Sequence, residues 1–103
     1  VEKARSIRGT RFIHLLSPCS PGWRIPSELT VKISRLAVRS RVFPLYEIED
    51  GISYTIQEES HVVPVKEYLK LQGRFSHLTE HDIEETQKRV DDAWERLLRK
   101  ARC

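Results

Sequence analysis

The hydrophobic residues of this chain fall into separate groups, each with its own spacing and each ended by proline, glycine or charged residues. The first group, residues 12–16, is a short continuous apolar run, which is typical of a strand buried on both faces of a parallel sheet. The charged residues 1–7 before it are compatible with a helix that stops near Gly9. We expect His14, within the run, to be a core or packing residue, because no nearby carboxylate would orient it for catalysis.

A proline-rich segment and an amphipathic helix follow this run. Residues 17–26 contain three prolines and one glycine, so we expect a loop of fixed shape that continues neither as strand nor as helix. Ser27 is a candidate cap for the next helix. Strand, loop and helix in this order form half of a parallel βαβ unit, in which ligands bind where the loop lies. The apolar stripe of this helix consists of Leu29, Ile33, Leu36 and Ala37.

A β-hairpin is predicted next. Two β-rich runs, residues 42–49 and 52–57, are joined through Asp50-Gly51, which is a strong hairpin signal. Pro44 lacks an amide hydrogen, so the first strand starts near this residue or lies at a sheet edge. The alternating apolar positions are Tyr46 and Ile48 in the first strand and Ile52, Tyr54 and Ile56 in the second.

Two further helices are predicted, a short one from Pro64 to a stop at Gly73 and a long one from about Thr79 to Arg99. Thr79 and Asp82 approximate a capping box, and the acidic start and basic end of the long helix match the helix dipole. The order of parallel strand, helix, β-hairpin, short helix and long carboxyl-terminal helix predicts the α/β class. The buried stripe of the long helix consists of Ile83, Val90, Trp94 and Leu97.

Length and composition fit one small domain. The 103 residues are 39% hydrophobic and 32% charged, which is typical of a globular chain with a well-solvated exterior. No apolar run approaches the roughly 20 residues that cross a bilayer, and the first residues lack the apolar core of a signal peptide. We therefore expect a soluble, cytoplasmic protein without membrane contacts, in which Cys19 and Cys103 are thiols rather than a disulfide.

The net charge of +3 raises the question of nucleic-acid binding, since basic residues cluster within residues 3–11 and 35–41. The second cluster is interleaved with apolar residues at helical spacing, which is typical of the solvated flank of an amphipathic helix. No groove-reading motif or aromatic stacking platform accompanies the charge. We therefore expect no nucleic acid among the partners.

Cys19 is the main candidate for a chemical role. The chain has no glycine-rich phosphate loop, nucleophile elbow or pair of CxxC motifs, and His77 and His81 lack the further ligands of a metal site. Cys19 stands between Pro18 and Pro21, and a soft thiolate on a stiff loop suits an iron or zinc site. The alternative is a small buried hydrophobe, the usual state of a free cysteine, and the spacing leaves both open.

Three segments and the last helix together carry a family resemblance. The segments are residues 17–23 (SPCSPGW), 43–47 (FPLYE) and 64–75 (PVKEYLKLQGRF), and the helix contains Trp94. In this order and spacing they resemble the carboxyl-terminal part of the beta subunit of 2-oxoacid:ferredoxin oxidoreductases of the pyruvate synthase type. The resemblance covers essentially the whole chain.

This resemblance implies a thiamine-diphosphate-binding α/β fold with a four-iron, four-sulfur (4Fe-4S) cluster close to the thiamine. Three cluster cysteines of the family lie in the amino-terminal part of the subunit, and the fourth lies on a Pro-Cys-Pro-like loop after a late strand. By resemblance, Cys19 matches this fourth position and is the cofactor-binding and metal-ligating residue of the chain. The family often has proline directly after this cysteine, whereas Ser20 stands there in this chain and Pro21 follows.

The activity that the resemblance implies is the coenzyme A-dependent oxidative decarboxylation of a 2-oxoacid such as pyruvate. Electrons pass singly through iron–sulfur clusters to ferredoxin, and the acyl group passes to coenzyme A. The implied partners are therefore the other subunits of the oxidoreductase, ferredoxin, coenzyme A and the 2-oxoacid. The implied cofactors are the 4Fe-4S cluster, thiamine diphosphate and magnesium.

Several parts of the family pattern have no counterpart in this chain, namely the Gly-Asp-Gly motif and following Asn that hold magnesium and thiamine diphosphate, and the first three cluster cysteines. We therefore expect residues 1–103 to be one carboxyl-terminal segment whose amino-terminal part is missing, inactive and without cofactor by itself. The alternative is a non-catalytic interaction or scaffold module that docks through its long last helix, since uncovered apolar surface favours partner binding.

Overall fold

A computed structural model describes residues 1–102, and Cys103, one of the two predicted thiols, lies outside the described residues. Two strands pair as an antiparallel hairpin, and the combination of helices with a small sheet agrees with the predicted α/β class. In chain order the elements are α1 (Glu2–Ser6), α2 (Ser20–Trp23), a 3₁₀ turn (Ser27–Leu29), α3 (Thr30–Arg39), β1 (Tyr46–Glu49), β2 (Ser53–Ile56), α4 (Val65–Leu69), a second 3₁₀ turn (Gly73–Phe75) and α5 (Glu80–Arg102).

The core forms where α3 meets α4, with α5 packed alongside. The predicted stripe of α3 is confirmed, because Ile33 and Ala37 have no exposed surface and Leu29 and Leu36 pack beside them. Burying such a side chain stabilises a fold by roughly 1.5–3 kcal/mol, a large share of the roughly 5–15 kcal/mol that holds a domain together. The other buried hydrophobic residues are Ile25, Val65, Tyr68, Leu69 and Trp94.

Hydrogen bonds from the start of α4 fix it between its neighbours. The Val65 N–H donates to Gln87 Oε1 of α5 over 2.8 Å. The Val63 N–H donates to the Arg39 carbonyl at the end of α3 over 3.0 Å. Pro64, predicted as the first helical residue, is instead the extended residue that precedes the helix.

The short helix ends earlier than predicted, at Leu69 rather than at Gly73. Gln72 explains the difference, because its buried side chain donates from Nε2 to the Tyr68 carbonyl over 2.8 Å and takes the place of a helical N–H donor. The Gln72 N–H itself donates to the Leu69 carbonyl over 3.1 Å. Gly73 therefore begins a 3₁₀ turn instead of stopping a helix.

The predicted hairpin is confirmed, and four of its five predicted apolar positions share one face, whereas Ile52 lies in the turn before β2. Tyr46 lies opposite Ile56 and Ile48 opposite Tyr54, and the two tyrosine rings stack with their centroids 6.5 Å apart. Both turn residues have positive φ, 54° at Asp50 and 71° at Gly51, as a type I′ turn requires.

The first strand begins at Tyr46, later than predicted, because backbone N–H groups between α3 and the strand donate to carbonyls of α3. The Ser40 N–H donates to the Leu36 carbonyl and the Phe43 N–H donates to the Ala37 carbonyl, so these donors are committed to the end of the helix. Pro44 then has no N–H to offer a ladder. Strand pairing can start only after this residue.

An ion pair links α1 to the hairpin. Lys3 Nζ lies 2.6 Å from Glu47 Oε2 and 2.9 Å from Glu49 Oε1, on the face of β1 opposite the tyrosines. These carboxylates raise the pKa of the Lys3 ammonium above its ordinary value, chiefly through the hydrogen bond to Glu47. All three side chains are about half exposed, so the pair adds little stability.

The strand predicted over residues 12–16 is wrong. These residues have no regular secondary structure and no strand pairing, with Phe12 87% and Leu15 79% exposed. A strand needs a hydrogen-bonding neighbour, and within residues 1–102 the only sheet is the β1–β2 hairpin, which has no third strand. The predicted βαβ half is therefore absent from the described residues, and the exposed His14 ring packs against Phe43, with centroids 5.2 Å apart, outside the core.

Ser27 does not cap α3 as predicted. It begins the 3₁₀ turn before the helix, where its backbone carbonyl accepts a hydrogen bond from Thr30 Oγ1 over 2.6 Å. The residue that precedes the first helical residue is Leu29, whose side chain cannot cap. The 3₁₀ turn satisfies part of the helix start in place of a side chain.

The long helix α5 confirms its predicted start and extends past its predicted end to Arg102. The Asp82 N–H donates to Thr79 Oγ1 over 3.2 Å and the Thr79 N–H donates to Asp82 Oδ2 over 3.0 Å, which is a complete capping box. Trp94 is the buried residue of the predicted stripe, and the Arg41 guanidinium lies 4.4 Å from its ring centroid. Within residues 1–102 no helix combines the length and hydropathy that a membrane crossing needs.

Truncation of Ile33 tests the core. Ile33→Ala removes atoms that have no exposed surface and should lower the free energy of unfolding by about 2–5 kcal/mol, measured by urea denaturation. Val31→Ala is the matched control, because Val31 is 63% exposed on the same helix and its truncation should change stability by less than about 0.5 kcal/mol. Equal losses at the two positions would contradict the described core.

The capping box predicts a specific response to acid. Hydrogen bonds from Thr79, the backbone N–H first, hold the pKa of the Asp82 carboxyl below its ordinary value of 3.8. A carboxyl with a lowered folded pKa stabilises the fold above its unfolded pKa, and this stabilisation is lost as pH falls through the folded value. The stability of α5 should therefore decline below pH 3.8 in circular dichroism melts.

Asp82→Asn should remove this part of the pH dependence. Asp92→Asn, at an exposed position of the same helix, should leave it unchanged and serves as the control. An identical acid response in Asp82→Asn and the parent chain would show that the capping carboxylate does not carry it.

Candidate functional site

The candidate ligand Cys19 lies immediately before α2. Its carbonyl accepts the Trp23 N–H over 2.8 Å, which closes the single turn of this helix. Residues 17–26 therefore include one helical turn, whereas a loop of fixed shape without helix was predicted. The proline content allows the turn because Pro21 stands in its first turn, where no N–H donor is required.

The side chain of Cys19 is exposed, so within residues 1–102 it is not a small buried hydrophobe. Gly22 lies beside it, and a Cβ atom built on Gly22 would be 3.3 Å from Cys19 Sγ. The absence of a side chain at Gly22 therefore leaves the space next to the sulfur open. A thiol in this setting is accessible to a metal ion and to other external groups.

The turn that follows Cys19 is anchored to the core. Ile25 is buried, and Arg24 adopts the left-handed conformation (φ 52°, ψ 59°). The Arg24 carbonyl accepts the Gly73 N–H over 3.0 Å. The backbones approach so closely that a Cβ atom built on Gly73 would lie only 2.6 Å from Arg24 Cβ. Gly73 is thus required as glycine by contact distance.

A stacked arginine forms a second connection between the same two segments. The Arg74 guanidinium carbon lies 3.9 Å from the Trp23 ring centroid and 4.5 Å from the Phe75 ring centroid. Arg74 Nε donates to Gln72 Oε1 over 2.8 Å, and Gln72 is buried. The position of α2, and with it the backbone of Cys19, is therefore set by residues that lie far away in the sequence.

The remaining candidates do not join Cys19. Within residues 1–102 no three histidine, cysteine, aspartate or glutamate side chains are grouped as a metal site requires. His77 and His81 lie near Asp82, where they help to lower its carboxyl pKa. Among the described residues, Cys19 fits one corner of a cysteine-ligated cluster and does not form a complete ligand set.

The anchoring residues Trp23, Gly73 and Arg74 were not predicted as part of the site. A signal for two of them was present in the segment Gln72-Gly73-Arg74, where a glycine adjoins a buried amide and an arginine. Their relation to Trp23 depends on tertiary contact between distant segments. Local spacing could not reveal it.

The chain is similar to subunits of oxidoreductases, although no protein-family model matches it. It is 50% identical to pyruvate synthase subunit PorB of Methanocaldococcus jannaschii, over 89% of the chain and 31% of that protein. It is 46% identical to ketoisovalerate oxidoreductase subunit VorB of Pyrococcus abyssi, over 98% of the chain and 33% of that protein. For PorB of Thermotoga maritima the identity is 42%, over 95% of the chain and 32% of that protein. The chain thus spans about a third of the length of these relatives, in their carboxyl-terminal part.

The close approach at Gly73 gives a test of the anchored turn. Gly73→Ala places a Cβ atom 2.6 Å from Arg24 Cβ and 3.0 Å from the Arg24 carbonyl oxygen, so one of the two backbones must shift. We expect a loss of about 1–3 kcal/mol in the free energy of unfolding, the usual cost of overpacking. Ser76→Ala, at the exposed end of the same 3₁₀ turn, should cost less than about 0.5 kcal/mol. Gly73→Ala with unchanged stability would contradict the contact.

Proposed function

We propose that this chain forms the carboxyl-terminal segment of a 2-oxoacid:ferredoxin oxidoreductase beta subunit. The chain belongs to the family of the PorB and VorB oxidoreductase subunits over the third of their length that it matches. In this proposal it acts together with the sequence that corresponds to the other two thirds of the relatives. The reaction of the complete enzyme is the coenzyme A-dependent oxidative decarboxylation of a 2-oxoacid, with ferredoxin as electron acceptor.

The observation that carries the proposal is the exposed Cys19 thiol on an anchored turn. We propose that Cys19 is the fourth thiolate ligand of a 4Fe-4S cluster, and that the other three thiolates come from outside this chain. When bound, such a cluster supplies one-electron transfer, which a 2-oxoacid oxidation linked to ferredoxin requires. The part of Cys19 is to present its sulfur in a fixed direction, and the open space at Gly22 supports this role.

The exposed apolar residues beside Cys19 support a role within a larger body. Phe12 and Leu15 are almost fully exposed in a segment without strand pairing, and exposed apolar residues of this kind can mark an interface. We propose that the sheet of the thiamine-diphosphate-binding fold covers the apolar side chains of residues 12–16 in the complete subunit. Thiamine diphosphate and magnesium would be held there by the Gly-Asp-Gly motif, outside this chain.

The substrate class follows from the two kinds of relative. The same residues of this chain align with pyruvate synthase and with ketoisovalerate oxidoreductase subunits, at 42–50% identity. We therefore propose a 2-oxoacid as substrate and assign the choice of its side chain to other parts of the enzyme.

Docking of the chain as a non-catalytic module through α5 has less support. The stripe of α5 faces the chain itself, with Trp94 buried and Ile83 and Val90 packed against the core. The outer face of this helix carries exposed charged residues. Exposed apolar residues lie elsewhere in the chain, among them Phe12 and Leu15 a few residues before Cys19.

Replacement of Cys19 tests the proposal. In the enzyme assembled with its other segments and subunits, Cys19→Ser should lose most or all of one cluster, about four iron ions per beta subunit, with loss of the corresponding electron paramagnetic resonance (EPR) signal and of ferredoxin reduction. Iron analysis and EPR spectroscopy of the reduced enzyme measure this directly.

Cys103→Ser is the matched control, because it removes the other thiol of the chain. We expect it to retain full iron content. Unchanged iron and EPR spectra in Cys19→Ser, or loss of the cluster in Cys103→Ser alone, would show that Cys19 is not the ligand.

A further inference from the structure

Arg74 makes a set of contacts that links the Cys19 turn to the core. Its guanidinium lies between the rings of Trp23 and Phe75, 3.9 Å and 4.5 Å from their centroids. Among residues 1–102 no carboxylate forms a salt bridge with it. The charge of this half-buried side chain therefore lies against the faces of aromatic rings. A cation–π contact is strongest where water is excluded from it.

The plane of the guanidinium is fixed from the core side. Arg74 Nε donates to Gln72 Oε1, and the same Gln72 side chain donates from Nε2 to the Tyr68 carbonyl of α4. Gln72 has 1% of its surface exposed, so this amide is held in one orientation by the core. The chain of contacts thus runs from a buried helix carbonyl, through Gln72 and Arg74, to the Trp23 ring.

Trp23 transmits this constraint to Cys19. The Trp23 N–H donates to the Cys19 carbonyl over 2.8 Å, so the ring and the cysteine belong to one closed turn. The Gly73 N–H bond to the Arg24 carbonyl adds a second attachment immediately after that turn. Rotation of α2 as a unit would break the Gly73–Arg24 hydrogen bond and the Arg74 stack on Trp23.

We propose that Arg74 is a positioning residue for the Cys19 sulfur, acting through the Trp23 stack. The inference rests on the proposed function, because it assigns to Arg74 the direction in which a cluster-ligating thiolate points. Arginine suits this role better than lysine, since its planar guanidinium stacks on a ring while its Nε donates within the same plane. Arg74 itself touches neither the sulfur nor the iron in this proposal.

The first experiment measures the turn in the full chain without a cluster. Arg74→Ala should speed amide hydrogen exchange at Trp23 and Gly73 by about 2- to 30-fold, the range that corresponds to one cation–π contact. Exchange at the hairpin amide of Gln57, which donates to the Leu45 carbonyl, should stay unchanged and show that the chain is folded. Arg96→Ala, at an exposed arginine of α5, is the matched control.

Trp23→Leu removes the aromatic partner of Arg74 from the same stack. If the stack carries the effect, the double variant Trp23→Leu/Arg74→Ala should exchange no faster than the faster single variant. Additive effects would show that the two residues act separately and would overturn the inference. Trp23→Leu also keeps the test decisive if Arg74→Ala lowers protection throughout the chain.

The second experiment uses the assembled, cluster-containing enzyme. We expect Arg74→Ala to keep most of its iron but to shift the EPR spectrum and the reduction potential of the cluster, beyond the spread between Arg96→Ala and the parent enzyme. A residue with a purely structural role would change the yield of folded enzyme and leave these properties of the bound cluster alone.

The outcomes separate the two proposals. If Cys19→Ser removes the cluster while Arg74→Ala leaves its EPR spectrum and potential unchanged, the positioning role is wrong and the ligand assignment stands. If Cys19→Ser leaves the cluster intact, the proposed function itself fails. If the cluster is lost with Cys19→Ser and shifted with Arg74→Ala, both proposals are supported.

Discussion

Burial of α4 against α3 is the contact on which the rest of the structure depends. Ile33 and Ala37 have no exposed surface, and in a chain of 103 residues few other apolar side chains could cover them. The residues that follow α4 connect this contact to the neighbouring elements. Gln72 holds the helix end, Gly73 and Arg74 hold α2, and Gln87 of α5 accepts the Val65 N–H at the helix start.

The position of the candidate site depends on that arrangement. Cys19 lies in a part of the chain with little burial of its own, and the α2 turn is too short to be stable alone. What keeps the turn in place is the burial of Ile25, the Gly73 N–H bond to Arg24, and the Arg74 stack on Trp23. The candidate ligand Cys19 is thus held in place by a core to which it does not belong.

The sequence predicted features that depend on neighbours within a few residues. The α3 stripe, the Asp50-Gly51 hairpin and the Thr79–Asp82 capping box are all local, and all are confirmed. The strand over residues 12–16 failed because a strand requires a partner that local pattern cannot supply. The Trp23–Arg74 contact was missed for the related reason that it joins residues far apart in sequence. Where the resemblance supplied the role of Cys19, the structure adds exposure and anchoring, which spacing alone had left open.

The two sides of Cys19 differ in a way that bears on how the proposed cluster would assemble. On its carboxyl side the turn is attached to the core, while on its amino side residues 12–16 expose apolar groups and have no strand pairing. The thiol therefore lies at the boundary between a completed part of the fold and a part that lacks a partner. If three further thiolates come from outside this chain, the same association that covers Phe12 and Leu15 brings them toward Cys19. The free energy gained by burying that segment would then be coupled to cluster assembly. The four ligands would come together only in the correctly assembled subunit.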